Sequence, residues 1–471
     1  MVDALKLRVL EVQFFQLPMA FKKPFRFGAY SLSECPQVFT RVVVQAGECV
    51  GEGFSAELAV PRWFDKRPHL SAERNVDDLF AALFAARNGY LTADGARTVF
   101  ELHNIVNSTV LQDAPTLPAL VRSFGQAQIE KALIDAVCRL ASTSFAQATR
   151  ANLWGIGFSE ACAPDLLGVD ASAVLQSLVP RDKMWLRHTV GFPVSRDGSA
   201  EPSALSELAS AVRDQGLRFL KIKLSGSPDA DARRVEEICA QFAPAELPFF
   251  SLDGNEQYAG VEGLHNLCAQ LSRIPALKGE RLGKKCLFLE QPLPREKALD
   301  ATVRLGDLPM AVAIDESDDE DDAFVRARQR GYRGVSSKAC KGVIRSLVNV
   351  VRCLHANRGD SLKCFVTPED LCTQPGWALQ QDLSLAALTG ASHAEKNGHQ
   401  YVASFAGLSD GITSKFMEAH ADLYGMTDSS ARLRVAEGRL SASSINRCAG
   451  FGTLVVPELD RMAEVHELEV R

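Results

Sequence analysis

Leu217-Arg218-Phe219-Leu220-Lys221-Ile222-Lys223-Leu224 is a short apolar run carrying two lysines two residues apart. Side chains on a strand alternate faces, so Lys221 and Lys223 share one face while Leu220, Ile222 and Leu224 share the other. Four similar runs follow, each stopping at an acid or a lysine: Leu252-Asp253-Gly254-Asn255, Leu289-Glu290-Gln291-Pro292, Ile314-Asp315-Glu316-Ser317 and Ser337-Lys338-Ala339-Cys340-Lys341-Gly342. From Lys221 the intervals are 32 residues to Asp253, 37 to Glu290, 25 to Asp315 and 23 to Lys338. Those are lengths of strand-plus-helix units, in which functional residues sit at the C-terminal ends of successive parallel strands. If the apolar face packs on surrounding helices, the charged face looks into a barrel mouth.

Working outward, Met184–Gly191 reads as a strand before this series, and Lys363–Thr367 and Ala391–Glu395 as strands after it. About seven parallel strands with helices between them predict an α/β architecture, most economically a modified (β/α)8 TIM barrel. Residues 1 to about 60 alternate as antiparallel strands, with Phe21–Gly28 as an aromatic and basic loop between them. Residues 72–150 carry helical periodicity. The division expected is an α+β capping domain over 1–150, the barrel over 151–410, and a C-terminal segment over 411–471 returning to the cap. In that last segment Leu433–Leu440 and Gly452–Pro457 read as strands.

The chain has 471 residues, 46% of them apolar, and a formal net charge of −6. That balance gives no basic field for nucleic acid. No apolar run approaches the roughly 18 residues of a membrane span, and the N-terminus lacks a signal-peptide pattern. None of the twelve cysteines forms a C-x-x-C pair, so they read as buried thiols in a reducing cytoplasm. The acidic run Glu316–Asp322 reads, beyond Asp315, as a solvated loop and helix start.

Asp253, Glu290 and Asp315 are oxygen donors with no His or Cys among them, which suits a hard cation: Mg²⁺, with Mn²⁺ as a substitute. The lysines suit proton transfer. Neighbouring cations depress a lysine pKa and make its neutral form available as a base. Lys223 and Lys338 lie four places apart in a ring of eight, so they face each other across the mouth.

These motifs together, K-x-K, D-x-N, E-Q-P, D-E-S and K-x-x-K-G in this order, resemble the enolase superfamily and within it the muconate-lactonizing enzyme subgroup. The resemblance spans nearly the whole chain. It implies Mg²⁺ on Asp253, Glu290 and Asp315, an acid/base pair in Lys223 and Lys338, and electrostatic support from Lys221. It implies abstraction of the proton α to a substrate carboxylate through an enediolate, by a racemase or epimerase. The alternatives are a cycloisomerase, a lyase such as a dehydratase or an o-succinylbenzoate synthase, and a non-catalytic barrel that retains the metal site. Dipeptide epimerases resemble each other in a D-x-D motif near the eighth strand, and His393–His399 contains none. The small-molecule partner is a carboxylate, and the assembly expected is a homo-oligomer. Asn255, Phe27, Phe54, Trp63, His188 and Glu395 are the candidates for substrate contact. Phe25, Tyr30 and Phe64 join Phe27, Phe54 and Trp63 in cap loops that would cover the mouth, and His393 is a further candidate near the eighth strand.

Overall fold

Period-two alternation in the first sixty residues produces three antiparallel strands, β1 (Arg8–Phe27), β2 (Tyr30–Ala46) and β3 (Cys49–Leu58). They are taken from a computed structural model that describes residues 4–28, 30–192, 203–359, 363–371, 373–427 and 430–467. The aromatic loop expected over Phe21–Gly28 is corrected: this segment is strand, with Phe25 opposite Leu32 and Phe27 opposite Tyr30. Phe21, Phe25 and Phe27 are buried while Lys22, Lys23 and Arg26 are exposed. The alternation therefore continues past a bulge between Ala20 and Phe25. The hairpin tip rests on the barrel, where a Cβ at Gly28 would lie 2.9 Å from Gln257 Nε2.

Three helices, α1 (Ala72–Thr92), α2 (Val99–Asp113) and α3 (Ala119–Leu140), complete the cap. Helix α3 lies so close against β3 that a Cβ at Gly53 would stand 2.1 Å from Ala132 O.

Eight parallel strands form the barrel: β4 (Lys183–Val190), β5 (Phe219–Lys223), β6 (Phe249–Asp253), β7 (Cys286–Glu290), β8 (Val312–Ile314), β9 (Gly334–Ser337), β10 (Phe365–Pro368) and β11 (His393–Glu395). They hydrogen-bond in chain order from β4 to β10, with β11 on the other side of β4, so the ring is nearly closed. The fold is thus a modified TIM barrel with an N-terminal α+β cap. Parity along β5 is as the sequence requires. Leu220 and Ile222 are buried in the hydrophobic core, while Lys221 pairs in register with Ser251 and Lys223 with Asp253.

After the barrel come a hairpin, β12 (Tyr424–Thr427) and β13 (Ser430–Leu433), then β14 (Arg439–Ser441) on β4 and β15 (Ala463–Glu464) on β1 of the cap. The strand expected over Gly452–Pro457 is absent. Side chains take its carbonyls instead: Trp377 Nε1 donates to Val455 O at 2.7 Å and Arg139 Nη2 to Thr453 O at 3.1 Å.

The acidic run is also corrected. Glu316, Ser317 and Asp318 are buried, and Asp321 forms the seam between cap and barrel. Its carboxylate accepts from Asn107 Nδ2 at 2.8 Å and Arg345 Nε at 3.1 Å, and faces His103 Nε2 at 3.3 Å. The other nitrogen of His103 lies 2.6 Å from Glu130. Glu130 in turn accepts from the amides of Val343 and Ile344, at the start of helix Val343–Ala356. A buried carboxylate on a helix N-terminus is favourable. Burial alone would depress the His103 imidazole, but Asp321 and Glu130 outweigh it and raise its pKa to about 10.

The unfolded value is about 6.5. The contribution of His103 to stability is therefore fully present below that pH and is lost as pH rises towards 10. Denaturant unfolding of wild type and His103→Gln, followed from pH 6 to pH 10, should show the gap between the two narrowing as pH rises. A gap that is constant or widening over that range would contradict the seam described.

Candidate active site

The five motif strands bring their charged ends to one side of the barrel. At β5, Lys221 Nζ donates to Glu290 Oε1, Glu369 Oε2 and Glu395 Oε2, each at 2.8 Å, and stands 3.0 Å from Asp253 Oδ2. Lys223 Nζ donates to Asp253 Oδ2 at 2.6 Å and to Asn255 Oδ1 at 2.7 Å. On the far side of the ring, just beyond β9, Lys338 Nζ donates to Asp315 Oδ2 at 2.6 Å. Lys341 Nζ donates to the Asp315 carbonyl at 3.0 Å. All these groups are buried, Lys223 being the most exposed at 8%.

The turns that follow the strands are built to hold these ends. Gln291 sits at a left-handed φ of 31°, and its Oε1 accepts from the amides of Asp315 at 2.8 Å and Ser317 at 3.1 Å. The E-Q-P turn is thereby tied to the D-E-S turn. A Cβ at Gly254 would stand 2.6 Å from Pro292 Cα, so the D-G-N turn reaches its neighbour only because that residue is glycine. Asn255 lies at φ 39° with its amide on Asp253 Oδ1 at 3.0 Å.

Electrostatics follow from the pairing. Burial works against both lysine ammoniums, but Asp253, Glu290, Glu369 and Glu395 around Lys221, and Asp315 beside Lys338, hold each pKa above the ordinary lysine value. Burial likewise opposes the charged form of Asp315, yet Lys338 and Lys341 hold it well below the usual carboxylate range. Glu290 goes the other way: burial and its acidic neighbours Asp253 and Glu369 push it up.

Asp253, Glu290 and Asp315 are the donors to ask about a cation. Their chemistry fits a hard divalent ion, being carboxylate oxygens alone on three successive strand ends. Both Glu290 oxygens lie 2.8 Å from Lys221 Nζ, so this carboxylate is held by a single ammonium. Lysines stand among these carboxylates, and no group of three converges to hold an ion among the described residues. Seating one therefore requires Lys223 and Lys338 to give up their carboxylate partners.

The cap closes the mouth through the segment after β3. The indole of Trp63, itself buried, covers Lys338 Nζ at 4.3 Å from the ring centroid. Arg295 donates to the carbonyls of Trp63 at 2.9 Å and Phe64 at 3.0 Å, and pairs with Glu256 at 2.9 Å. Lys66 bonds to Glu256 and lies 3.5 Å from Glu316.

Of the other sequence candidates, Asn255 and Glu395 join the cluster. Phe27 packs against Phe25 and Tyr30 in the hairpin that rests on the mouth. Phe54 lies elsewhere: its ring faces the Arg139 guanidinium at 5.4 Å and its amide donates to Asp135, on the α3 side of the cap sheet. His188 pairs in register with Leu220, so parity turns it to the outer face, where burial and Lys23 hold its pKa down to about 4. His393 begins β11 opposite Trp185 and packs on Phe219 at 4.7 Å, at the end of the barrel away from the cluster.

Four members of the site are not among the residues the sequence singles out. Glu369 ends the run Cys364–Pro368 as the other acids end theirs, and that recurrence is a signal for it. Arg187 and Thr189 share the inward parity of β4. Lys66 carries no local signal, since its partner Glu256 lies 190 residues away.

Residues 204–401 match the family described as enolase C-terminal domain-like. No curated protein matches the chain. Among solved structures, an enolase from Bradyrhizobium complexed with magnesium and mandelic acid is 15% identical, covering 99% of this chain and 100% of its own, with a TM-score of 0.62. A dipeptide epimerase from Enterococcus faecalis, complexed with Mg and L-Leu-L-Tyr, is 13% identical over 94% of this chain and 99% of its own, TM-score 0.61. The 2-chloromuconate cycloisomerase from Rhodococcus opacus is 14% identical over 94% and 97%, TM-score 0.58. At such identities the likeness is one of fold.

A double-mutant cycle on Asp315→Asn and Lys338→Met measures the buried pair at the mouth. Asp315→Asn leaves the buried Lys338 ammonium without its carboxylate and should cost about 3–5 kcal/mol; Lys338→Met should cost less, because Lys341 still pairs with Asp315. The double variant should lose less than the sum by about 1–3 kcal/mol. Additive losses in urea unfolding would mean the pair is not formed in solution.

Proposed function

We propose, from the match of residues 204–401 to the family described as enolase C-terminal domain-like, that the chain is a divalent-metal-dependent member of the enolase superfamily that removes the proton α to a substrate carboxylate, acting as a racemase or epimerase. The observation that carries the reading is the opposed pair of lysines. Lys223 and Lys338 stand on strands four places apart in the ring, each 2.6 Å from a different carboxylate of the candidate cation set. A small carboxylic acid between them presents one face to each.

Asp253, Glu290 and Asp315 would hold Mg²⁺, which when bound supplies Lewis-acid stabilisation of negative charge on carboxylate oxygens; magnesium is present in the Bradyrhizobium and Enterococcus neighbours. With those acids engaged elsewhere, Lys223 and Lys338 are released from Asp253 and Asp315, and the base is whichever of them stands as the neutral amine. One then takes the α-proton at its Nζ, giving an enediolate. The other, still an ammonium, returns a proton to the opposite face. Trp63 and the β1–β2 hairpin keep bulk water from the carbanionic stage.

The test is α-proton exchange in D₂O with Mg²⁺ and a pool of racemic N-acyl amino acids, dipeptides, 2-hydroxy acids and muconolactones, followed by mass spectrometry. Exchange should require Mg²⁺ and stop with EDTA. Lys223→Met and Lys338→Met should each lose exchange from one enantiomer by about 10²-fold or more. Exchange from only one enantiomer in wild type would replace the racemase reading by a cycloisomerase or lyase. No exchange from any acid would remove the catalytic reading for these substrate classes.

A further inference from the structure

Lys221 differs from the other two lysines in how its protons are used. An ammonium has three N–H donors. Among the described residues Lys338 donates one to a carboxylate, Lys223 donates two to Asp253 and Asn255, and Lys221 donates all three, to Glu290, Glu369 and Glu395. Two of its acceptors, Glu369 and Glu395, lie outside the candidate cation set. Each is fixed by donors of its own. Glu369 Oε1 accepts from Arg187 and, at 2.7 Å, from Thr367. Glu395 accepts from Thr189 at 2.5 Å, Asn397 at 2.6 Å and the Asp370 amide at 3.2 Å.

Glu369 and Glu395 stay where they are whatever Asp253 and Glu290 bind, because their supports come from β4, β10, β11 and the turns after them. Drawing Lys221 out towards a ligand would strand two buried carboxylates, which is costly. We propose that Glu369 and Glu395 are positioning residues that withhold the Lys221 ammonium from substrate and keep it in the barrel wall, where it acts only through Asp253 and Glu290. Contact with the substrate is left to Lys223 and Lys338, whose donors are not all committed. The inference rests on reading the mouth as the reactive site.

The experiment is a ¹H–¹⁵N correlation spectrum of the full chain labelled at lysine Nζ. A buried ammonium with three carboxylate acceptors exchanges its protons slowly and gives a resolved signal. Wild type should show such a signal that disappears in Lys221→Met. In Glu369→Gln and Glu395→Gln, its hydrogen exchange should accelerate by about tenfold or more. Thr189→Val, which removes one donor to Glu395 and no charge, should give a smaller acceleration and covers the case in which a Gln variant does not fold. Slow exchange that survives in every folded variant overturns the proposal, as does the absence of a Lys221 signal in wild type. Mn²⁺ binding by wild type is measured alongside. A slow Lys221 signal, lost in the variants, in a protein that binds no Mn²⁺ upholds this proposal and sinks the metal reading. Mn²⁺ binding without a slow Lys221 signal does the reverse.

Discussion

Charges taken out of water must find one another, and at this barrel mouth that requirement organises everything nearby. The effective desolvation penalty is several kcal/mol per ion, and Lys221, Lys223, Lys338, Asp253, Glu290 and Asp315 are all buried together. Each ammonium therefore lies against carboxylates. The supporting turns, Gln291 on the amides of Asp315 and Ser317 and Gly254 against Pro292, are what bring those carboxylates within reach. An arrangement in which every lysine is neutralised by a prospective ligand of a cation is poised. Anything that competes for Asp253 and Asp315 changes the state of Lys223 and Lys338 at the same moment.

The cap is fastened by the same physics. Arg295 and Lys66 share Glu256, and Arg295 also holds the backbone of Trp63 and Phe64. On the opposite side of the cap, His103 links Asp321 to Glu130 and so to the helix that follows Lys341. The turns carrying Asp315 and Lys338 are thus each tied to a cap helix, and cap and barrel meet through ion pairs as well as apolar contact.

Much of this is legible in the amino-acid sequence alone. Strand parity in Leu217–Leu224 and the recurrence of an acid or lysine at each run's end locate β5 to β9 and six charged residues of the mouth. The same parity, carried one strand back, turns His188 outward and Arg187 inward, against the expectation that residue type suggests for His188. Glu369 is hidden behind Pro368, which interrupts the strand pattern. The Phe21–Gly28 segment resembles a loop because its polar positions are lysines and arginine, yet such residues suit the exposed face of a strand. Glu316–Asp322 has the composition of a solvated run because nothing local shows that His103, Asn107 and Arg345 arrive from elsewhere in the chain. Lys66 and Phe54 are placed by contacts across the fold, which no spacing reports.

The central claim is that one set of carboxylates serves two masters, lysines in one state and a cation in another. A crystal of the protein grown with Mn²⁺ and examined by anomalous scattering tests it most directly. The result predicted is a peak bound by Asp253, Glu290 and Asp315, with Lys223 and Lys338 moved off those carboxylates and Lys221 still on Glu369 and Glu395. Three lysines in their present pairs, with no peak among the three acids at saturating Mn²⁺, would contradict it.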